Sequence, residues 1–233
     1  MFQTNPFLLI VLFVGLSLLP FLAMIATSYL KIVVVMSLVR NALGIQSIPP
    51  NMVINALATI LTFYIMAPMA SESWSIVKDA MAKEPAALVA TAETAGTDAA
   101  DGRWFETDVV AKAAEPFRAF LSEHTAPRER AFFISTAETL WGKDGEPAVV
   151  DPESYTILLP SFCVSELTKS FQIGFLVYLP FIAIDIIVSN ILLAMGMMMV
   201  SPVTISLPFK LLLFVMVNGW TLLIQGLVRG YAV

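Results

Sequence analysis

The chain has one cysteine, Cys163, and one histidine, His124, among its 233 residues. A single thiol forms no intrachain disulfide, and the zinc sites that draw on several cysteines or histidines cannot be assembled from this set. Charge is scarce too: 13% of residues are Asp, Glu, Lys or Arg, where a soluble domain carries roughly a quarter. Low charge density with 58% hydrophobic residues excludes a disordered chain, which is charged and poor in apolar side chains. A net charge of −5 excludes a nucleic-acid binder, which needs a basic footprint. No P-loop or dinucleotide fingerprint is present, so nucleotide hydrolysis is not expected. His124 stands beside Glu123 in a polar stretch and reads as a solvated helix-end residue rather than a general base. No catalytic residue, cofactor or metal site emerges, and the expectation is a protein that is not an enzyme. What the chain does have is apolar sequence, with a mean hydropathy of +0.82, enough to live in or against a membrane.

The charges are segregated. Residues 1–70 carry only Lys31 and Arg40, residues 71–153 carry 16 acidic and 8 basic side chains, and residues 154–233 carry Glu166, Lys169, Asp185, Lys210 and Arg229. Three regions follow: an apolar helical hairpin over 1–70, an acidic insert over 71–153 and a second apolar hairpin over 154–233. The apolar segments are Met1 to Leu38, Met52 to Ala70, Ser170 to Val200 and Leu211 to Val228. Nothing positive precedes the first run, and no compact hydrophobic stretch ends in a small-residue cleavage site, so a retained amino terminus is expected. Lys31, Arg40 and Lys210 on the cytoplasmic side would leave both termini and the insert outside.

Two of these segments are too long for a bilayer. Phe7 to Leu38 and Ser170 to Val200, as helices, run about 46 to 48 Å against roughly 30 Å of hydrocarbon. Tilt absorbs part of the excess, with Pro20 and Pro180 as kinks or breaks. Burial of parts of these helices against other protein is the alternative, and it requires an obligate assembly.

Within the insert, Lys83 to Gly102 is rich in Ala, Thr, Glu and Asp and reads as a mobile loop. Val109, Val110, Ala113, Phe117, Phe120 and Leu121 recur at helical spacing, with Pro116 as a break or second start. Ala131 to Leu140 forms a second short amphipathic helix through Phe132, Phe133, Thr136, Ala137 and Leu140. No alternating strand pattern occurs, so the fold class is all-α.

Asp185 lies inside an apolar run, where an ionised carboxylate costs about 2.5 to 3.5 kcal/mol unless it is paired or wetted. Lys210 is the candidate partner. Glu166 and Lys169 form a second cluster at i, i+3 on the same helix. Ser165, Thr168, Lys169 and Gln172 make a polar stripe that should face protein or water, and Asn55, Asn190 and Asn218 suit interhelical hydrogen bonds. Met197, Met198 and Met199 follow Met195 and Gly196 and precede Pro202. Three consecutive methionines cannot share a helix face. Soft, unbranched side chains of this kind could close a pore around varied chains and block ions by dewetting. In a chain with 12 Met, composition alone favours the plainer reading, an apolar helix end.

Three segments carry a resemblance: Thr27 to Pro50, TSYLKIVVVMSLVRNALGIQSIPP; Ser161 to Asp185, SFCVSELTKSFQIGFLVYLPFIAID; and Ala194 to Lys210, AMGMMMVSPVTISLPFK. Together they strongly resemble the FliP/SctR (YscR) family, and they cover both apolar halves. The resemblance implies a subunit of the type III secretion export apparatus in the bacterial inner membrane. It implies a homopentamer joined by SctS-like and SctT-like (FliQ-like and FliR-like) subunits in a right-handed helical cone around a channel. That cone would project to the periplasmic side, so that segments resembling spans are buried between subunits. SctU-like and SctV-like export-gate proteins, secreted protein substrates and membrane lipid are the further partners implied. Residue by residue, Met197, Met198 and Met199 match the family's methionine gasket, and Glu166, Asp185 and Lys210 match charged positions linked to inter-subunit contacts. The expected retained amino terminus tilts the choice to the injectisome branch, since flagellar members commonly carry a cleaved signal peptide.

A secondary transporter or small-solute channel with a buried site at Asp185 is the rival function. Transporters of that kind often repeat their halves around broken helices, and the two hairpins here share no such pattern. A scaffold without a lumen is a third reading.

Overall fold

The computed structural model describes residues 6–45, 48–92, 107–142 and 148–232. Every regular element among them is an α-helix, as the sequence implies. In chain order these are α1 (Pro6–Ile25), α2 (Tyr29–Ala42), α3 (Asn51–Ala92), α4 (Thr107–His124), α5 (Pro127–Trp141), α6 (Tyr155–Ala194), α7 (Pro202–Met216) and α8 (Gly219–Arg229). They form two compact units, Met1–Ile65 with Cys163–Val233, and Met66–Phe162. Both long helices, α3 and α6, pass from one unit into the other.

The first unit is built on α2. Its apolar side chains recur at the spacing that places them on one side of a helix, and Ile32, Val35, Met36, Val39 and Ala42 are all buried. Leu43 extends the stripe, and Ile54 and Ala58 of α3, Phe181 of α6, Phe214 of α7 and Leu223 and Leu227 of α8 close over it. Close approach of α6 to α2 depends on Gly174, where an added Cβ would lie 2.3 Å from Leu38 Cδ1.

The long apolar runs are broken at places that hydropathy does not mark. From Pro6, where the described residues begin, the run to Leu38 becomes α1 and α2, divided at residues 26–28. The Thr27 hydroxyl donates to the Ala23 carbonyl at 2.6 Å and accepts from the Tyr29 amide at 3.3 Å, a side-chain alternative to the helical ladder. Leu211 to Val228 becomes α7 and α8, bent by 59°. There Asn218 takes a left-handed conformation at φ 52°, which asparagine tolerates better than most residues. Gly219 follows with the Phe214 ring against it. Pro20 breaks nothing, since α1 encloses it, and α6 likewise runs on through Pro180. The expected Ser170 to Val200 segment stops six residues early, at Ala194, where Gly196 ends the helix.

The second unit has its core at Leu121, Leu158 and Phe162, with Phe117, Phe120, Tyr155 and Leu159 packed on them. Phe120 and Phe162 stand 5.8 Å apart between ring centroids. The Tyr155 hydroxyl donates to the Ala114 carbonyl at 2.9 Å. Arg130 of α5 donates to Ser122 at 3.0 Å and to the Pro152 carbonyl at 3.1 Å, tying the end of α4 to the approach to α6. The expected helical pair is present as α4 and α5, with three differences. Pro116 lies within an unbroken α4. His124 ends α4 but is 7% exposed rather than solvated, its ring 4.5 Å from that of Phe120 and Nδ1 3.0 Å from the Phe120 carbonyl. The loop expected over 83–102 is helical through residue 92, as a continuation of α3, while 93–102 lie outside the described residues.

Candidate functional site

The charged side chains that composition made conspicuous are gathered in the first unit. Glu166, on α6, is 0% exposed. One of its oxygens, Oε2, takes the Lys31 ammonium of α2 at 2.9 Å. The other, Oε1, takes Lys169 at 3.1 Å. Tyr231 donates its phenolic hydroxyl to Oε2, and Lys31 Nζ lies 3.7 Å from the centroid of the Tyr231 ring. Burial, with the Glu166 carboxylate alongside, raises the Tyr231 pKa above its ordinary value, so the phenol stays protonated and donates. A carboxylate with this many donors is the arrangement that makes a fully buried charge tolerable, because desolvation otherwise costs several kcal/mol.

Further along α6, Asp185 Oδ2 pairs with Lys210 of α7 at 2.6 Å, and Ser206 donates to Oδ1 at 2.6 Å. Lys210 also donates to the Ala42 carbonyl at 3.3 Å. That carbonyl ends α2, where the final carbonyls lack helical partners and a cation is favourable. Lys31 at Glu166, Leu38 at Gly174 and Ala42 at the Asp185 pair come in the same order along both helices. Helix α2 therefore lies alongside α6 in the same direction, fixed by charge near each of its ends.

Between α6 and α7 runs the methionine loop. Gly196 adopts φ +72°, its amide bonds the Leu193 carbonyl at 3.0 Å, and the Met197 amide bonds the Leu192 carbonyl at 2.9 Å. These are the paired bonds of a Schellman cap, in which glycine takes the left-handed position. Pro202 begins α7, its missing amide hydrogen costing nothing at a first helical position. The chain between these stops presents Met197, Met198 and Met199 at 42%, 82% and 100% exposure.

The structure thus brings Asp185 to Lys210 and Glu166 to Lys169, and puts the three methionines on one exposed turn. It adds Lys31, Tyr231 and Ser206, which the sequence reading left out of the clusters. Two of these carried a signal: Lys31 is a charge flanked by apolar residues in an apolar helix and so needs a counter-charge, and Ser206 stands four residues before Lys210 on the same helix side. Tyr231 carried none, since its place depends on how α8 packs. Burial of Lys31 and Lys210, at 4% and 3% exposure, also removes two of the three cations used to orient the chain. The charge rule for orientation concerns loops, and both lysines are helical and paired. The expected polar stripe divides: Ser165 is buried and Lys169 reaches Glu166, but Thr168 and Gln172 are exposed. Asn55 and Asn190 are exposed rather than bonded between helices of this chain, and Asn218 serves the corner before α8. Among the described residues there is no group of three His, Cys, Asp or Glu side chains that could hold a metal ion.

Among the described residues, two helices, Asn51–Ala80 within α3 and Tyr155–Ala194, are long and apolar enough to cross a membrane, and little of either apolar stretch is buried inside the molecule. A profile of the FliP family matches residues 12–227. The chain belongs to the FliP family. It is similar to the Yop proteins translocation protein R of Yersinia pestis, 47% identical over 223 residues that cover 96% of this chain and 95% of that protein. The hypersensitivity response secretion protein HrcR of Ralstonia nicotianae is 44% identical over 223 residues, 96% of each chain. The flagellar biosynthetic protein FliP of Bacillus subtilis is 39% identical over 223 residues, covering 96% of this chain and 90% of that one. FliP family proteins belong to the type III secretion export apparatus, and the higher identity to the two proteins named for translocation and hypersensitivity supports the injectisome (SctR) branch.

Proposed function

We propose that this chain is a pore-forming subunit of the type III secretion export gate, conducting unfolded protein substrates across the bacterial inner membrane. The observation that carries this reading is the turn bearing Met197, Met198 and Met199. It is exposed, capped at one end by Gly196 and started afresh at the other by Pro202, and it joins two helices locked together by the Asp185 and Lys210 pair. A loop so anchored presents flexible apolar side chains at a fixed place, which suits a seal that yields to a passing chain and closes behind it. Five copies, with SctS-like and SctT-like subunits, would bring the turns together as a ring. SctU-like and SctV-like export-gate proteins join it, and the assembly projects to the periplasmic side of the membrane. Glu166, Asp185 and Lys210 act in subunit contacts through the helices they hold in place.

The role of the turn is tested by replacing Met197, Met198 and Met199 with glycine. Assembly of the complex should be retained while its resting conductance to small ions rises several-fold. Resting conductance equal to that of the unaltered complex would refute the seal.

A further inference from the structure

The turn between α6 and α7 concentrates oxidisable sulfur. Met195, Met197, Met198 and Met199 are 66%, 42%, 82% and 100% exposed, whereas Met36 in the core is 0% exposed. Met24, Met52 and Met216 are also exposed, but they lie on helices whose apolar surroundings need a cover of lipid or protein. The turn differs because it lies outside both helices, between the Gly196 cap and Pro202, and because in the proposed gate the two faces of the seal border water. Thioethers react with peroxide in proportion to their access to it, and the product is polar and chiral.

We propose that Met197, Met198 and Met199 form a reversible oxidation site, at which peroxide converts the closed turn into a leaking one. The inference rests on the seal function proposed above and adds a regulation to it. A sulfur lone pair attacks one oxygen of hydrogen peroxide and the O–O bond breaks. A sulfur–oxygen bond forms, and the second oxygen leaves as water after taking up the proton. Sulfur loses two electrons and peroxide gains them. The sulfoxide oxygen is a strong hydrogen-bond acceptor where none stood before, and a constriction that excludes ions by staying dry loses that property once water is held in it. Reversal needs a dithiol reductant, which becomes a disulfide as the sulfoxide oxygen departs as water.

The experiment uses membrane vesicles containing the full assembled gate, exposed to graded hydrogen peroxide. Peptide mass analysis follows oxygen addition residue by residue, while ion flux is recorded in parallel. Oxygen should enter at Met197, Met198 and Met199 at least about tenfold faster than at Met36, as expected for exposed against buried thioethers. Flux should rise with the number of oxygens, return towards baseline after treatment with methionine sulfoxide reductases and a dithiol, and stay flat under peroxide in a complex carrying Met197→Leu, Met198→Leu and Met199→Leu. The reductase reversal is measured on the unaltered protein and stands even where the leucine complex fails to assemble. Sulfoxide at the turn with no change in flux would overturn the proposal, as would oxidation of the turn no faster than Met36, or an equal peroxide response in the leucine complex. The seal itself is judged separately by the glycine complex without peroxide, so either idea can fail alone.

Discussion

Glu166 is surrounded by groups of unequal weight, and their exposure ranks them. Removing its carboxylate leaves Lys31, 5% exposed at its side chain, as a buried cation facing no anion, and breaking a buried pair from one side costs about 3 to 5 kcal/mol. Tyr231→Phe takes away one hydrogen bond to a charged acceptor but keeps the ring beneath Lys31, a loss of about 1.5 to 3 kcal/mol. Lys169 is 38% exposed at its side chain, so solvent screens it, and Lys169→Ala costs roughly 0 to 1 kcal/mol. The expected order of destabilisation is therefore Glu166→Ala, then Tyr231→Phe, then Lys169→Ala, read as thermal unfolding of the detergent-solubilised protein. Equal effects of the first and third would show that Glu166 is paired chiefly with Lys169 and that the contribution of α2 is minor. Only the weakest of these pairs was legible in sequence, because Glu166 and Lys169 are three residues apart. Lys31 and Tyr231 arrive from 135 residues upstream and 65 downstream, and spacing along a chain says nothing about partners at that separation.

The helices themselves were legible wherever the apolar run was long, and their ends were not. A hydropathy average passes smoothly through Thr27 and through Asn218, because one or two polar residues do not outweigh the leucines and valines around them. The breaks are nonetheless made there, by the Thr27 hydroxyl in one case and by a left-handed backbone in the other. The Asn218–Gly219 pair is a turn signal in its own right, and greater weight on it would have divided Leu211 to Val228. Pro116 and Pro180 erred the other way, as breakers enclosed by continuous helices. At the α7 to α8 corner, a Cβ at Gly219 would lie 2.3 Å from two atoms of the Phe214 ring, and Phe214 belongs to the core. Gly219→Ala should thus force the ring aside at a cost of about 1 to 3 kcal/mol, the range for an overpacked core. Asn218→Gly should be tolerated, and Asn218→Val should destabilise by about 1 to 2 kcal/mol, since a left-handed conformation is costly for a side chain branched at Cβ. Unfolding temperatures of the three variants decide whether the corner is set by backbone conformation, by the ring, or by both. If Asn218→Val were as stable as the parent, backbone conformation would drop out.

At the scale of the whole molecule, the question is what covers its apolar surface. Within the part of α6 that belongs to the first unit, Phe171, Phe175, Leu176, Leu179, Ile186, Ile187, Ile191 and Leu193 are all more than two-fifths exposed. They extend over 23 residues, about 34 Å at about 1.5 Å per residue, and α6 as a whole, at 40 residues, is about 60 Å long against roughly 30 Å of hydrocarbon. Lipid can cover only about half of such a helix unless it is steeply tilted, and the observed tilts of membrane helices, about 20° on average, recover only a few ångströms. The remainder requires protein. A lipid-soluble photoreactive carbene should therefore label no more than about 20 contiguous residues of α6 in the assembled complex. Cysteines placed singly at the remaining exposed positions should react with an aqueous maleimide in the isolated, detergent-solubilised chain and become unreactive on assembly. Carbene labelling along the entire stretch from Phe171 to Leu193 and through the methionine turn, in bilayers and in the assembled complex alike, would mean that lipid is the solvent for this face. The long helices would then be ordinary tilted spans, and the turn would lie among acyl chains, where no lumen could be sealed.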